Sequence, residues 1–150
     1  MKRVGLFLAT ISMVFLLTAC GGKEKSLDCN MSADQKGVIV KQNFLLNFEG
    51  NGKFKSAVLT QDAVVSEDLL KATDLNTYKS AFEQTIKSTY KDLKYDITDN
   101  GKDTVTIKVD FKDIGSLGMV SNGKDVKASK KDFENAKKSF ESAKYTCTVK

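Results

Sequence analysis

The sequence contains no histidine, no tryptophan and no proline. Histidine supplies the usual general base of enzymes, a neutral metal ligand and a charge switch near neutral pH. Without it, a zinc site would have only carboxylate and cysteine ligands, which disfavours such a site. We therefore expect a protein that is not an enzyme, with no catalytic residue, no metal and no cofactor.

Charge is missing from the first part of the chain. The cationic head Met1-Lys2-Arg3 is followed by no charged residue until Lys23. The apolar run over 4–17 has the length of a signal-peptide core. The whole uncharged stretch, 4–22, is also long enough for a membrane-spanning helix, but Gly21-Gly22 would make a poor end to one. The pattern favours a signal peptide.

The apolar run ends in Leu17-Thr18-Ala19-Cys20, which resembles the lipobox of bacterial lipoproteins. At such a site the thiol receives a diacylglyceryl group before the chain is cleaved, and the small residues beside it fit the peptidase. Two acyl chains bury enough methylene surface for stable anchoring, whereas one does not. The alternative is an ordinary buried cysteine in a signal anchor. We predict a signal peptide over 1–19, lipidation of Cys20, a tether over 20–26 and one domain over 27–150.

The remaining chain carries little net charge. Removal of Lys2 and Arg3 lowers the formal net charge of the sequence from +5 to +3. Lysines spread along the whole chain are typical of a solvated surface, so we expect no nucleic-acid partner. The expected partners are the membrane, reached through the N-terminal lipid, and an envelope protein or a wall polymer.

Two further cysteines, Cys29 and Cys147, lie near the two ends of the domain. An exported protein reaches a compartment in which disulfides persist, and an even number of cysteines is typical of a disulfide framework. We predict a disulfide between them. The alternative is a pair of free thiols, because some bacteria export few disulfides.

Hydrophobic periodicity predicts two β-hairpins. Apolar side chains alternate over 38–48, the turn Gly50-Asn51-Gly52 follows, and Phe54 to Val65 reads as the return strand. Pairing Phe48 with Phe54 across the turn would keep even positions on one face. A second hairpin is predicted over 93–111, with its turn at 99–102.

Two helices and a last strand complete the predicted elements. Leu75, Tyr78, Phe82, Ile86 and Tyr90 recur at helical spacing, with a cap at Thr73 or Asp74. Ser66-Glu67-Asp68 would start this helix earlier or begin a separate turn. Ser129 is predicted to cap a second helix, and Tyr145, Cys147 and Val149 a final strand. The predicted class is α+β: a mostly antiparallel sheet of two hairpins plus a C-terminal strand, with two helices packed on one face.

The segment 114–128 is rich in glycine, serine, asparagine and lysine and is predicted to be a long loop. Apolar residues inside it, Leu117, Met119 and Val120, would form a partner contact if they are exposed. The alternative, which the composition favours, is that they tuck under the sheet.

The order of these elements resembles that of the small YehR-like bacterial lipoproteins, a family without an established biochemical activity. The lipobox, Tyr90-Lys91 near the end of a helix between hairpins, the segment 105–111 and a terminal helix carry the resemblance. Cys29 and the motif Tyr145-Thr146-Cys147 are similar to features of relatives from low-GC Gram-positive bacteria, which open with a Cys and close with a Tyr-x-Cys. The resemblance implies an α+β lipoprotein and supplies no active-site residues.

These patterns favour a non-enzymatic binding or interaction module on the extracytoplasmic face of the cell membrane. The first alternative is a small solute-binding accessory lipoprotein of a transporter, although 131 residues are few for the usual two-lobed receptor. The second is an envelope hydrolase that works with paired carboxylates, which catalyse without histidine.

Overall fold

The computed structural model describes residues 22–89, 92–117 and 128–150, which form an antiparallel sheet with helices packed on one face. The strands of this part are β1 (Lys25–Gln35), β2 (Val38–Phe48), β3 (Phe54–Val65), β4 (Lys94–Asp99), β5 (Thr104–Phe111) and β6 (Thr146–Val149). Their spatial order is β4-β5-β3-β2-β1-β6. The helices are α1 (Glu67–Ala72), α2 (Leu75–Thr89) and α3 (Asp132–Ser142), and Gly115–Leu117 forms one 3-10 turn.

The α+β class and the mostly antiparallel sheet are confirmed, but the predicted number of elements is wrong. The pattern predicts five strands and two helices, whereas the described residues contain six strands and three α-helices. The additional strand is β1, and the additional helix is α1, which ends at Ala72 and is separate from α2. The N–H of Thr77 donates to the Asp74 carboxylate, so Asp74 caps α2 as predicted.

Strand β1 pairs with β2 along its whole length, from Lys25 opposite Phe48 to Gln35 opposite Val38. It begins at Lys25, inside the segment predicted as a tether. The connecting residues Lys36 and Gly37 both have positive φ, 54° and 90°, as a two-residue hairpin turn of type I′ requires.

The hairpin of β2 and β3 contains a β-bulge. Phe48 pairs with Phe54 as predicted, but the next core pair is Leu46 with Ala57, because the register shifts between Asn47 and Phe48. Lys55 is the extra residue on β3, and from there on odd-numbered positions face the core. The prediction that even positions stay on one face is therefore wrong, since a bulge inserts one unpaired residue.

The hydrophobic core lies between the sheet and helices α2 and α3. Strands β1, β2, β3 and β5 contribute alternate residues to it, and α3 contributes Phe133, Ala136 and Phe140. Phe133 meets the ring of Phe48 edge-to-face at 5.2 Å, and Phe140 lies 4.9 Å from the ring of Phe44. Among the described helices, none is both long and apolar enough to cross a membrane.

A buried carboxylate fixes the start of α3 to the sheet. Asp132 is 4% exposed, and its Oδ2 accepts hydrogen bonds from the backbone N–H of Phe54 and of Ser129. The Ser129 hydroxyl donates to Oδ1 of the same carboxylate. Helix α3 begins at Asp132 with Lys131 at its N-cap position, so the predicted N-cap at Ser129 is wrong. Asp132 joins α3 to β3 across 78 residues of sequence.

The predicted disulfide between Cys29 and Cys147 is present and joins β1 to the edge strand β6. The two cysteines are directly opposite each other in the strand register, with their Cα atoms 4.1 Å apart. Cys29 is fully buried, so the bridge lies against the core. It closes a sequence separation of 118 residues, which in the chain-entropy model stabilises the fold by roughly 4–5 kcal/mol.

We expect reduction of this disulfide to lower the free energy of unfolding by roughly 4 kcal/mol, because the unfolded chain regains the entropy of an open loop. Denaturant unfolding with and without dithiothreitol measures the difference. The Cys29→Ala/Cys147→Ala double variant is the control and should not respond to the reductant. Identical unfolding midpoints for the oxidised and reduced wild type would contradict the expectation.

Replacement of Asp132 by Asn should destabilise the fold by about 1–3 kcal/mol. Both carboxylate oxygens accept hydrogen bonds, whereas the NH2 group of asparagine can only donate them. Glu134→Gln also removes one negative charge, but at an exposed position of the same helical turn, and should shift the unfolding midpoint little. Thermal unfolding of both variants tests this. Equal midpoints would show that the buried carboxylate does not hold α3 in place.

Candidate functional site

Among the described elements, α2 and α3 cover one face of the sheet, and none covers the other, which we call the open face. On the open face, every described residue is exposed or half-buried. Two apolar cross-strand pairs, Leu45 with Val58 and Ile39 with Val64, lie on it near opposite ends of the strands. Between these pairs the face is polar, so its centre meets solvent with hydrogen-bonding groups rather than with apolar side chains.

The polar centre consists of two adjacent rows of residues that cross the sheet, which we call the polar belt. The strand register aligns one row across all six strands: Thr146, Asn30, Asn43, Thr60, Lys108 and Asp96. The second row crosses five of them: Ser32, Lys41, Asp62, Thr106 and Thr98. At about 4.8 Å between strands, the belt is about 24 Å long.

A shallow depression of about 430 Å³ lies in the belt over β1, β2 and β3. Met31 and Gln42 line it from the intervening positions. The other lining residues belong to the two rows of the belt: Asn30, Ser32, Lys41, Asn43, Thr60, Asp62 and Thr146. A volume of this order is within the range of sites for small molecules or for one unit of a polymer.

Hydrogen bonds between neighbouring strands hold part of the belt in place. The Asn43 amide donates to Asn30 Oδ1 at 2.8 Å and also to the Asp28 carboxylate. On the other side, the Thr106 hydroxyl donates to Asp62 Oδ1 at 2.6 Å. Because these contacts fix rotamers before a ligand arrives, binding at the belt would cost less side-chain entropy.

Asp28 lies next to the belt on β1 and pairs with the last residue of the chain. The Lys150 ammonium donates a hydrogen bond to Asp28 Oδ2, and this bond holds the pKa of the Asp28 carboxyl below its ordinary value. Partial burial acts in the opposite direction, while Asn43 and Asn30 add to the lowering. The carboxylate therefore stays charged at neutral pH and orients the amides beside it.

Other groups in the depression are available to a ligand. Within the described residues, Lys41 makes no ion pair, and neither the Ser32 nor the Thr60 hydroxyl takes part in a side-chain hydrogen bond. An ammonium group and two hydroxyls can donate hydrogen bonds to the hydroxyl, carbonyl or phosphate oxygens of a ligand. No group of three or more metal-ligating side chains occurs in the described part of the chain.

The residues that the sequence singles out lie elsewhere. Cys20, Met119 and Val120 fall outside the described residues, so lipidation and a partner contact stay predictions. Leu117 lies at the end of the 3-10 turn, half-buried and packed against the core. The Asp113 carboxylate accepts hydrogen bonds from the Ser116 hydroxyl and backbone N–H, which lower its pKa and hold this turn.

The belt itself is not apparent from sequence patterns alone. The alternation over 38–48 places Lys41, Asn43 and Asn47 on the outer side of β2, but the row needs partners from β1, a strand that the pattern does not predict. The signal that would have found β1 is the alternation of Leu27, Cys29, Met31 and Ala33 with polar residues.

No protein-family model matches the chain, and searches of curated proteins and of solved structures found no match.

Proposed function

We propose that this chain is a lipoprotein anchored on the extracytoplasmic face of the cell membrane, and that its domain is a non-enzymatic binding module. The lipobox Leu17-Thr18-Ala19-Cys20 supports the anchor. The disulfide between Cys29 and Cys147 supports an oxidising compartment outside the cytoplasm. The polar belt is the ligand-binding surface of the module.

The observation that carries this proposal is the row of hydrogen-bonding side chains across all six strands. A belt about 24 Å long matches several units of an extended polymer better than one small molecule. Protein interfaces have an apolar core enriched in aromatic side chains, and the belt contains none. A hydroxyl-rich or phosphate-bearing wall polymer is therefore the ligand class that its chemistry fits best.

The depression over β1–β3 favours one alternative, the binding of a small solute as an accessory to a transporter. Its volume of about 430 Å³ suits a single sugar-sized molecule, and Lys41 and Asp62 would contact opposite charges on such a ligand. Competition distinguishes the two ligands, because a monomeric solute that binds tightly would displace the polymer at low concentration.

The third reading, a carboxylate-dependent hydrolase, has less support. Glycoside hydrolysis uses two carboxyl groups that face each other across the scissile bond. Asp62 is the one carboxylate among the lining residues of the depression, and its Oδ1 already accepts the Thr106 hydroxyl. The arrangement fits a binding contact better than an acid–base pair.

The combined Lys41→Ala/Thr60→Val variant should bind wall polymer at least about tenfold more weakly than wild type. One hydrogen bond to a charged group contributes about 1.5–3 kcal/mol, and 1.4 kcal/mol is tenfold in affinity. Valine keeps the branched shape of threonine, so the strand should remain intact. Co-sedimentation with purified Gram-positive cell walls, with and without attached wall polymer, measures the affinity.

Lys94→Ala is the matched control, because Lys94 is exposed on the same face but belongs to neither row of the belt. It should sediment like wild type. If the belt variant and the control sediment equally well, or if wild type binds neither preparation of walls, the belt is not a polymer-binding surface.

The anchor is tested separately with Cys20→Ala. Loss of the thiol removes the site of acylation, so the variant should be released from membranes or stay uncleaved. Membrane fractionation and the intact mass of the protein report both outcomes. Cys147→Ala, which removes the disulfide and keeps Cys20, should remain acylated. A Cys20→Ala protein that is cleaved and held like wild type would refute lipidation.

A further inference from the structure

The two ends of the sheet carry opposite charge. We call one the tether end, where β1 and β3 begin, β2 ends and α3 begins. Six lysines at this end form what we call the basic collar: Lys23, Lys25, Lys53, Lys55, Lys130 and Lys131. Three exposed acidic residues lie among them, Glu24, Glu49 and Glu134, so the surface of this end has a surplus of positive charge.

The fold brings the collar together from three distant segments. A β-carbon on Gly22 would lie 2.7 Å from the Gly50 carbonyl oxygen, so the residues just before β1 run against the β2–β3 turn. The Phe133 N–H donates to the Gly52 carbonyl at 3.1 Å, which seats α3 on the same turn. The Lys25 ammonium lies 5.3 Å from the centre of the Phe133 ring. The lysines therefore share one surface.

The opposite end of the strands, which we call the far end, is acidic. It holds the turns after β1 and β4, helix α1 and the start of α2. Its exposed acidic residues are Asp34, Glu67, Asp68, Asp74, Asp99 and Asp103. Its exposed lysines are Lys36, Lys71 and Lys102, and the half-buried Lys79 pairs with Asp99 at 3.3 Å. On the β4–β5 side of the tether end, Lys94 and Lys112 lie among Asp92, Asp110 and Asp113, so this side adds no positive charge and the collar accounts for the asymmetry.

We infer that the basic collar binds the anionic headgroups of the leaflet that holds the acyl chains. This inference rests on the proposed lipidation of Cys20. From Cys20 to Lys23 the chain spans three residues, at most about 10 Å when fully extended. This distance is close to the Debye length at physiological ionic strength, so anionic lipids act on the collar without full screening.

Each basic residue near an anionic leaflet strengthens binding to that leaflet. The acidic far end is repelled by the same leaflet, so both ends favour one orientation. In that orientation the strands stand upright on the membrane. The belt, which crosses the strands, then runs parallel to the membrane about 17 Å above the collar, five residues along β1 from Lys25.

The test uses the lipidated protein in vesicles of phosphatidylcholine alone or with about 30 mol% phosphatidylglycerol, a composition that gives a negative surface potential. Brief labelling with an amine-reactive reagent, followed by peptide mass spectrometry, measures the accessibility of each lysine. We expect the collar lysines Lys23, Lys55 and Lys130 to react at least about threefold more slowly on the anionic vesicles. Lys36, Lys71 and Lys102 should react equally on both, and 1 M salt should remove the difference.

A charge-reversal variant adds a second measurement. Lys55→Glu/Lys130→Glu should lose the protection at Lys23, whereas the matched far-end variant Lys71→Glu/Lys102→Glu should keep it. Equal labelling of the collar on both vesicles would overturn the inference. Protection by purified wall polymer but not by anionic vesicles would also overturn it, by assigning the collar to the polymer.

Failure of the anchor gives a different result from failure of docking. A protein that does not float with pure phosphatidylcholine vesicles carries no functional lipid, which refutes the proposed lipidation. A protein that floats with them and shows no collar protection on anionic vesicles is anchored without the proposed orientation.

Discussion

The pairing of β1 with β2 over eleven residue pairs is the interaction on which the other features depend. This ladder places Cys29 opposite Cys147 on β6 and brings Asn30 beside Asn43 in the belt. It also fixes where the chain leaves the domain, because β1 begins at the end that carries the basic collar. The register of one strand thus sets the disulfide, the polar belt and the point at which the proposed anchor joins the domain.

Most elements are predictable from hydrophobic alternation, because β2, β3 and β5 are rich in β-branched and aromatic residues. Strand β1 alternates too but is poor in such residues. Asp28, Asn30 and Ser32 have low strand propensity, and its core face uses small or soft residues such as Cys29 and Ala33. The bulge at Lys55 is also invisible in the pattern, because the tertiary contacts of Phe54 and Asp132 decide where the extra residue lies. Helix α1 is missed because six residues show too little periodicity.

The belt is less predictable than the strands that carry it. Polar residues such as Lys41 and Thr60 are evident on the outer positions of two strands, yet a row across the sheet requires the spatial order of all strands. That order places β5 beside β3 and β6 beside β1, pairings between segments far apart in sequence. Local periodicity contains no information on these pairings. The disulfide between Cys29 and Cys147, which is predictable from export, identifies the pairing of β6 with β1.

The position of β1 also determines how the domain bears mechanical load. If the proposed function holds, a pull on a polymer bound to the belt would be resisted at the lipid anchor, which would hold β1 along its own axis. Hydrogen bonds of an antiparallel ladder lie perpendicular to the strands, so this force shears them together rather than opening them one at a time. The bridge from Cys29 to Cys147 adds a covalent link on the other side of the same strand. The proposed anchor and ligand would therefore load the domain along its most resistant direction.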